Sequence, residues 1–326
     1  MLFAGIDGGA THTRVAVATD NGIVRGCGRG GPSNVDNVSL AEARMALSQA
    51  LGQALQEAGT SHGPMTAAFF GMAGVVSEAD RQIIHGLARS LPELDGTLVQ
   101  VDHDIRIALA GSMPDDVGIV LIVGTGSSCY GRRADGRHHQ TGWGYLLDDQ
   151  GSSYSIGLEA MKAAVREFDG RGDRTTLTQP VLEHLGISSI LEILHALHHR
   201  RLSIEQIAAF APTVVKHAEE GDHLADQILR RGAAALADMV VAVAKRLDFL
   251  HQVVPVALVG GLVDASPFYA QLIEGTIRER LHRLRMVEAS LPPVLGAVRL
   301  ALQIRTVPIT GEIHAALHAS RSMIRS

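Results

Sequence analysis

Gly118-Ile-Val-Leu-Ile-Val-Gly-Thr-Gly-Ser-Ser-Cys-Tyr-Gly131 is the stretch on which the reading of the fold turns. Ile119 to Val123 form a continuous apolar run rich in β-branched residues, the pattern of a strand buried on both faces. The run empties into Gly124-Thr125-Gly126-Ser127-Ser128. Small residues there let the backbone approach a ligand closely, and amides and hydroxyls can converge on an anion, phosphate above all. A dinucleotide-binding or P-loop reading needs a helix straight after the glycines. Here the chain instead continues through Cys129-Tyr130-Gly131 to Asp135-Gly136, a hairpin turn. The motif is therefore strand, glycine turn, strand.

The same construction stands at the N-terminus. Leu2 to Ile6 is a short apolar strand ending at Asp7-Gly8-Gly9-Ala10-Thr11. A strand over Thr13 to Thr19, a turn at Asp20-Asn21-Gly22 and a strand over Ile23 to Cys27 follow, before a loop at Gly30 to Asn34. Two glycine-turned hairpins in one chain suggest an internal duplication. Between them, helical spacing over Leu40 to Ala58 and Ser77 to about Leu91 alternates with buried strands at Met65 to Gly71 and Leu98 to Val101. Asp104 heads a short helix, Ile105 to Ala110. Gly111 to Val117 makes a boundary before the second hairpin. The second half carries more helix: Ser152 to Phe168, Thr175 to Leu185, Ser188 to Leu197, Ile204 to Glu219 behind a Ser203 cap, and His223 to Phe249. A buried strand, Val254 to Val259, ends in Gly260-Gly261, and helices at Pro267 to Leu281 and Val294 to Leu302 flank a strand near Met286. The last twenty residues read as a loosely attached helix or a tail. The layout is mixed α/β.

Composition sets bounds on function. At 326 residues, with 46% hydrophobic and 19% charged residues, the chain is a well-packed protein long enough for two domains. A net charge of −5 without a basic block points away from nucleic acid. The expectation is a cytoplasmic protein with no membrane partner: two cysteines, Cys27 and Cys129, form no disulfide framework, Asp7 interrupts the N-terminal apolar run, and no stretch approaches a spanning length. Sixteen histidines fall in no Cys/His framework of zinc spacing.

The glycine hairpins and the Gly260-Gly261 turn would surround a nucleotide, two holding phosphates and the third adenosine. At this point the chain resembles the actin-like ATPase superfamily, and within it the N-acetylglucosamine kinase family, grouped with the activator ATPases of acyl-CoA dehydratases (BadF/BadG/BcrA/BcrD type). The matching motifs are Gly5-Ile-Asp-Gly-Gly-Ala-Thr-His-Thr13, Val101-Asp-His-Asp-Ile-Arg-Ile-Ala-Leu-Ala-Gly111, Val123-Gly-Thr-Gly-Ser-Ser128, Gly142-Trp-Gly-Tyr-Leu-Leu-Asp-Asp-Gln-Gly-Ser152, Leu258-Val-Gly-Gly-Leu262 and Pro293-Val-Leu-Gly-Ala297. They keep the family's order up to about Leu302.

The resemblance implies two actin-like, ribonuclease H-like domains, each with a mixed five-stranded sheet, and a nucleotide in the interdomain cleft. The expected domains are 1–113, rejoined by a C-terminal helix at about 294–326, and 114–293. It implies ATP and Mg²⁺ as cofactors, a sugar as the other substrate, and a homodimer. Asp7 would orient Mg²⁺ through water, Gly8, Gly9 and Thr11 would hold phosphates, and Thr125 with Gly126 would form the second clamp beside Gly260 and Gly261. Asp104 falls at the catalytic base. The residues support this independently, because a carboxylate at a strand end and helix start is fixed enough to align a hydroxyl with a phosphate. Asp102 is its rival, and the structural alternative is that Asp104 merely caps its helix. Asn34, Ser127, Ser128, Gly142, Trp143 and Asp149 would meet the sugar, although a core position is the plain alternative for Trp143. Where the family shows Gly-Asp-Glu, this chain has Asp148-Asp149-Gln150, a departure that touches the identity of the sugar. The expected reaction is phosphorylation of N-acetylglucosamine on its 6-hydroxyl; the alternatives are glucosamine or another hexosamine, or a dehydratase-activating ATPase.

Overall fold

The structure, a computed structural model, describes residues 1–60, 65–199 and 202–325. In chain order its elements are β1 (Leu2–Gly8), β2 (Thr13–Thr19), β3 (Val24–Gly30), α1 (Leu40–Glu57), β4 (Ala67–Met72), α2 (Glu78–Arg89), β5 (Leu98–His103), α3 (Asp104–Ser112), β6 (Gly118–Val123), β7 (Ser127–Arg132), β8 (His138–Thr141), α4 (Ser153–Phe168), α5 (Thr178–Leu185), α6 (Ile193–His199), α7 (Ile204–Ala208), α8 (Ala211–Glu219), α9 (His223–Arg246), β9 (Val254–Val259), α10 (Gly261–Ala265), α11 (Pro267–Arg280), β10 (Leu284–Val287), α12 (Pro293–Ile304), α13 (Gly311–Ala319) and α14 (Arg321–Arg325). The chain divides into two compact units, Met1–Val117 with Glu288–Ser326, and Gly118–Val287. Among the described residues no helix is long and apolar enough to cross a membrane.

Each unit holds one five-stranded sheet, ordered β3-β2-β1-β4-β5 in the first and β10-β9-β6-β7-β8 in the second. The pairing plan repeats. β1 runs antiparallel to β2 and parallel to β4, and β6 runs antiparallel to β7 and parallel to β9. The outer pairs complete the match, antiparallel at β2–β3 and β7–β8, parallel at β4–β5 and β9–β10. The two glycine hairpins are thus the same element of a duplicated design. β1 carries its apolar run because helices cover the first sheet on both faces, and β6 carries Ile119, Leu121 and Val123 into the core around α9.

In the first unit, period-two alternation assigns each face. Ala4, Ile6, Val15, Val17, Ala68 and Phe70 pack with α1 and α2, while Phe3, Ala16, Ala18, Ala67 and Phe69 pack with α3 and α12. The contact between β3 and α1 is unusually close. Glycines at every second position of β3 face alanines at every fourth position of α1, and a Cβ on Gly28 would lie 1.9 Å from the Ala50 carbonyl oxygen. β3 is an edge strand, yet α1 satisfies its outer amides: Cys27 N–H donates to Glu57 Oε2 at 2.7 Å and Arg29 N–H to Gln53 Oε1 at 2.9 Å.

The second unit builds its core around α9, whose inward face includes Leu229, Ala233, Leu236, Ala237, Val240 and Val243, with α4, α8 and α11 packed on it.

Several boundaries differ from the sequence reading for identifiable reasons. β1 continues through Asp7 and Gly8, because both residues pair on both sides, with Arg14 and Thr13 in β2 and with Gly71 and Met72 in β4. β3 likewise runs on to Gly30, opposite Thr13. The helix expected over 204–219 is two helices, α7 and α8. Pro212 lacks an N–H and its ring would clash with the carbonyl four residues earlier, so it starts a new helix. The last residues form α13 and α14, with Ile313, Leu317 and Ile324 buried in the first unit's core.

Candidate active site

β1, β4 and β5 run parallel, so their carboxyl ends coincide, with Gly8, Met72 and His103 in one row across the sheet. Open α/β sheets place their ligands at such ends. The turn after β1 is closed by Gly9 N–H donating to the His12 carbonyl at 3.0 Å, with Thr11 exposed at its tip. The loop carrying Asn34 is tied to this turn, because the Ser33 and Asn34 N–H groups both donate to the Gly9 carbonyl, at 3.1 and 3.3 Å. Asn34 Oδ1 accepts from the Asp36 N–H at 2.9 Å, which leaves the side-chain NH₂ to offer a ligand. The structure therefore gathers Asp7, Gly8, Gly9, Asn34 and Asp104 at one end of the first sheet.

The carboxyl of Asp7 is pushed up to about 7, chiefly by burial and then by the charge of Asp104; Arg14 pulls the other way. The Arg14 guanidinium stands 4.0 Å from Asp7. Among the described residues half-exposed Arg14 is the cation acting on Asp7, and the charge of Asp104 opposes it, so Asp7 itself is short of positive charge. A divalent cation held through water at Asp7 fits that donor set. Among the described residues no group of three or more His, Cys, Asp or Glu side chains could hold a metal by itself.

Asp104 is the first residue of α3, and the cap is not its own. His103 is the N-cap, its Nδ1 accepting from the Ile105 N–H at 3.1 Å. The carboxylate of Asp104 is thus free of the capping duty that the sequence allowed it. Asp102, the rival base, is committed elsewhere: its Oδ1 accepts from Arg81 at 2.9 Å and from the His103 backbone N–H at 2.9 Å. Sequence reasoning missed His103, Arg81 and Arg14, and only the adjacency of His103 to Asp104 could have flagged one of them.

In the second unit, the turn between β6 and β7 is closed by Gly124 N–H donating to the Gly126 carbonyl at 2.9 Å. The first amides of α4 grip the turn from behind, Ser153 N–H on the Gly124 carbonyl at 2.9 Å and Tyr154 N–H on the Thr125 carbonyl at 3.1 Å. Carbonyls tied back in this way do not repel an approaching anion. Gly260, in the left-handed region at φ 124°, abuts the Val123 carbonyl, and Gly261 opens α10. Thr125, Gly126 and Gly260 are thereby brought together at the end of β6.

Asp149 braces the same turn. Its backbone lies in the left-handed region at φ 62°, and its buried Oδ1 accepts from the Ser127 N–H at 3.0 Å. A Cβ on Gly126 would fall 2.7 Å from Asp149 Oδ2, so only glycine lets the carboxylate sit there. Burial holds the Asp149 carboxyl above its ordinary value, the Ser127 bond opposes that shift, and Asp148 adds to it. Ser127 itself is buried, and its hydroxyl donates to the Gln150 carbonyl at 3.3 Å, so it is turned inward. Gly142, the residue after β8, lies against Ser128. Trp143 is no core aromatic: it is 69% exposed, in a loop that also shows Leu146 and Leu147 to solvent. Cys129 is fully buried, and burial alone raises its thiol pKa.

The chain is similar in sequence and fold to known proteins. An N-acetylmuramic acid/N-acetylglucosamine kinase of Clostridium acetobutylicum is 30% identical over 91% of this chain and 97% of its own length. An N-acetyl-D-glucosamine kinase of Dictyostelium discoideum is 27% identical over 92% and 98%. The crystal structure of a protein from Chromobacterium violaceum, provisionally assigned as an N-acetylglucosamine kinase, superimposes with a TM-score of 0.73 at 27% identity, covering 93% of this chain and 99% of that one. The model of the BadF/BadG/BcrA/BcrD ATPase family matches residues 4–301. The chain belongs to the BadF/BadG/BcrA/BcrD ATPase family.

Proposed function

We propose that this protein is an ATP-dependent sugar kinase that phosphorylates an amino sugar, N-acetylglucosamine on its 6-hydroxyl. The observation that carries the reading is Asp104. It is a carboxylate fixed at the junction of β5 and α3, released from capping by His103 and placed in the same field as Asp7. The names of the relatives support the substrate class, since they act on N-acetylglucosamine or N-acetylmuramic acid.

In this reading Asp104 accepts a hydrogen bond from the sugar hydroxyl, aligns its oxygen with the γ-phosphorus of ATP and takes the proton as the new O–P bond forms. Phosphoryl transfer asks for placement and charge stabilisation more than for base strength. Gly8, Gly9 and Thr11 in one unit, and Thr125, Gly126, Gly260 and Gly261 in the other, are the proposed nucleotide contacts, acting through backbone N–H groups and hydroxyls. Asp7 is the residue that would hold Mg²⁺ through water; when bound, the ion neutralises charge on the phosphates. The Asn34 amide, Asp149 Oδ2, Gly142, Ser128 and the exposed ring of Trp143 are the proposed sugar contacts, supplying donors, an acceptor and an apolar face. Ser127 serves the reading through its N–H, by anchoring Asp149.

The test is ADP release from Mg-ATP across a panel of sugars with a no-sugar control. Strong stimulation by N-acetylglucosamine is expected. Asp104→Asn should lower kcat by about 10²–10⁴ while nucleotide binding stays near wild type. Preferential stimulation by glucosamine would keep the mechanism and relocate specificity to Asp148-Asp149-Gln150. Turnover indifferent to every sugar would replace the kinase reading with a sugar-independent ATPase.

A further inference from the structure

The end of β5 holds a contact that neither the helix cap nor the base alone explains. His103 Nδ1 lies 3.1 Å from the Ile105 N–H, to which it presents a lone pair. The same nitrogen lies 2.6 Å from Asp104 Oδ1. That oxygen is buried and receives no hydrogen bond. A ring nitrogen showing its lone pair and a carboxylate oxygen are both acceptors, and at 2.6 Å they repel unless a proton lies between them. The contact is therefore built for a proton that is present for part of the cycle. When it is absent, Nδ1 caps α3; when it is present, imidazolium and carboxylate form an ion pair.

We propose that His103 is a positioning residue that acts through Asp104, holding one carboxylate oxygen inward and receiving at Nδ1 the proton that Asp104 takes from the acceptor hydroxyl. The proposal rests on the reading of Asp104 as the base. The balance is complete: the hydroxyl oxygen bonds to the γ-phosphorus, the bond from that phosphorus to the ADP oxygen breaks with its electron pair leaving on ADP, and the hydroxyl proton passes to Asp104, then to Nδ1, then to water. The His103 side chain is 17% exposed and so reaches the water that takes the proton.

The charged surroundings agree with that role. His103 is faced by Asp104 and Asp102 from its own strand and the following helix, by Arg81 from α2, and by the uncharged Met72 from β4. Burial, the largest influence, and Arg81 disfavour the imidazolium. The bond that a protonated Nδ1 makes to Asp104 and the charges of Asp104 and Asp102 outweigh them, and the ring titrates above its ordinary value. Only neutral His103 can receive a proton, so turnover should rise with pH through this titration.

The experiment is the pH profile of kcat for wild type, His103→Asn and Asp104→Asn, with ATP and the best sugar of the panel. Asparagine keeps the cap, because its side-chain oxygen can accept from the Ile105 N–H, but it does not titrate. His103→Asn should lose on the order of 10-fold in kcat, less than the 10²–10⁴ expected for the base itself. Its KM values should stay near wild type, and the rising limb above the ordinary histidine range should vanish. His103→Ala, which also removes the cap, should add a lower melting temperature. If His103→Asn turns over like wild type, or loses rate while keeping the same limb, the inference fails although Asp104→Asn is inactive. If Asp104→Asn is active, the base reading fails first and takes the inference with it.

Discussion

Asp149 tests whether the second glycine turn is held by a side chain from the loop ahead of α4. Its Oδ1 satisfies the buried Ser127 N–H at 3.0 Å, and its backbone sits in the left-handed region. Asp149→Ala removes the acceptor and leaves the amide unpaired, which costs about 1–3 kcal/mol. It also obliges alanine to adopt a conformation that costs an ordinary residue about 1–2 kcal/mol more than glycine, and that Asp tolerates better. Asp149→Gly loses the acceptor without that strain, and Asp149→Asn keeps both the acceptor and the tolerance. If the turn relaxes when unbraced, nucleotide binding must rebuild it. A penalty of about 1–3 kcal/mol then weakens the nucleotide Kd by roughly 5- to 150-fold. The assay is titration of ADP or a non-hydrolysable ATP analogue into sugar-free protein, so that any direct sugar contact of Asp149 is silent. The expected order of affinity is wild type and Asn together, then Gly, then Ala, with Asn alone showing a raised sugar KM and intact nucleotide binding. Wild-type nucleotide affinity in both Ala and Gly variants would refute the brace, and Asp149 would then be left with its proposed sugar contact only.

Two further outcomes follow from the first unit. Gly28→Ala drives a Cβ to 1.9 Å from the Ala50 carbonyl oxygen and must force α1 off the sheet; overpacking of about 1–3 kcal/mol should lower the melting temperature by several degrees. Gly31→Ala, with nothing within 4 Å, should leave it unchanged and serves as the control in the same thermal melt. For Asp7, the ordinary value is 3.8 and the folded value about 7. Between them the folded state keeps a proton that the unfolded state has lost, so metal-free stability falls as pH rises through that window. Denaturant titrations in a chelator should show that slope, and Asp7→Asn should flatten it.

How much was legible in the sequence depends on whether a feature is set by neighbours along the chain or by neighbours across it. The central strands were legible because burial on both faces leaves a run such as Ile119 to Val123 that no exposed segment would carry. The hairpins were legible because Gly124 to Ser128 and Asp135-Gly136 are local turn chemistry. The split at Pro212 obeys an equally local rule, and a stricter application of it would have placed the break. The continuation of β1 through Asp7 and Gly8 is different in kind, since it exists only because two other strands offer partners there. The same holds for the site. Asp104 could be chosen from its place at a strand end, but its freedom from capping depends on the rotamer of His103, and the withdrawal of Asp102 on an arginine 21 residues away in sequence. Ser127 looked available to a ligand because serine in a glycine turn usually is; its hydroxyl was claimed by the Gln150 carbonyl, on the far side of a loop. One long-range signal was present and readable. Glycines at 26, 28 and 30 repeat with the period of a strand, and alanines at 46, 50 and 54 with that of a helix face. Two small-residue stripes of different period make sense only if a helix backbone lies against a strand backbone, and the structure puts those carbonyls against those glycines. Pairing such stripes before any ladder is known would place α1 on β3 and thereby fix the face of the first sheet on which it lies.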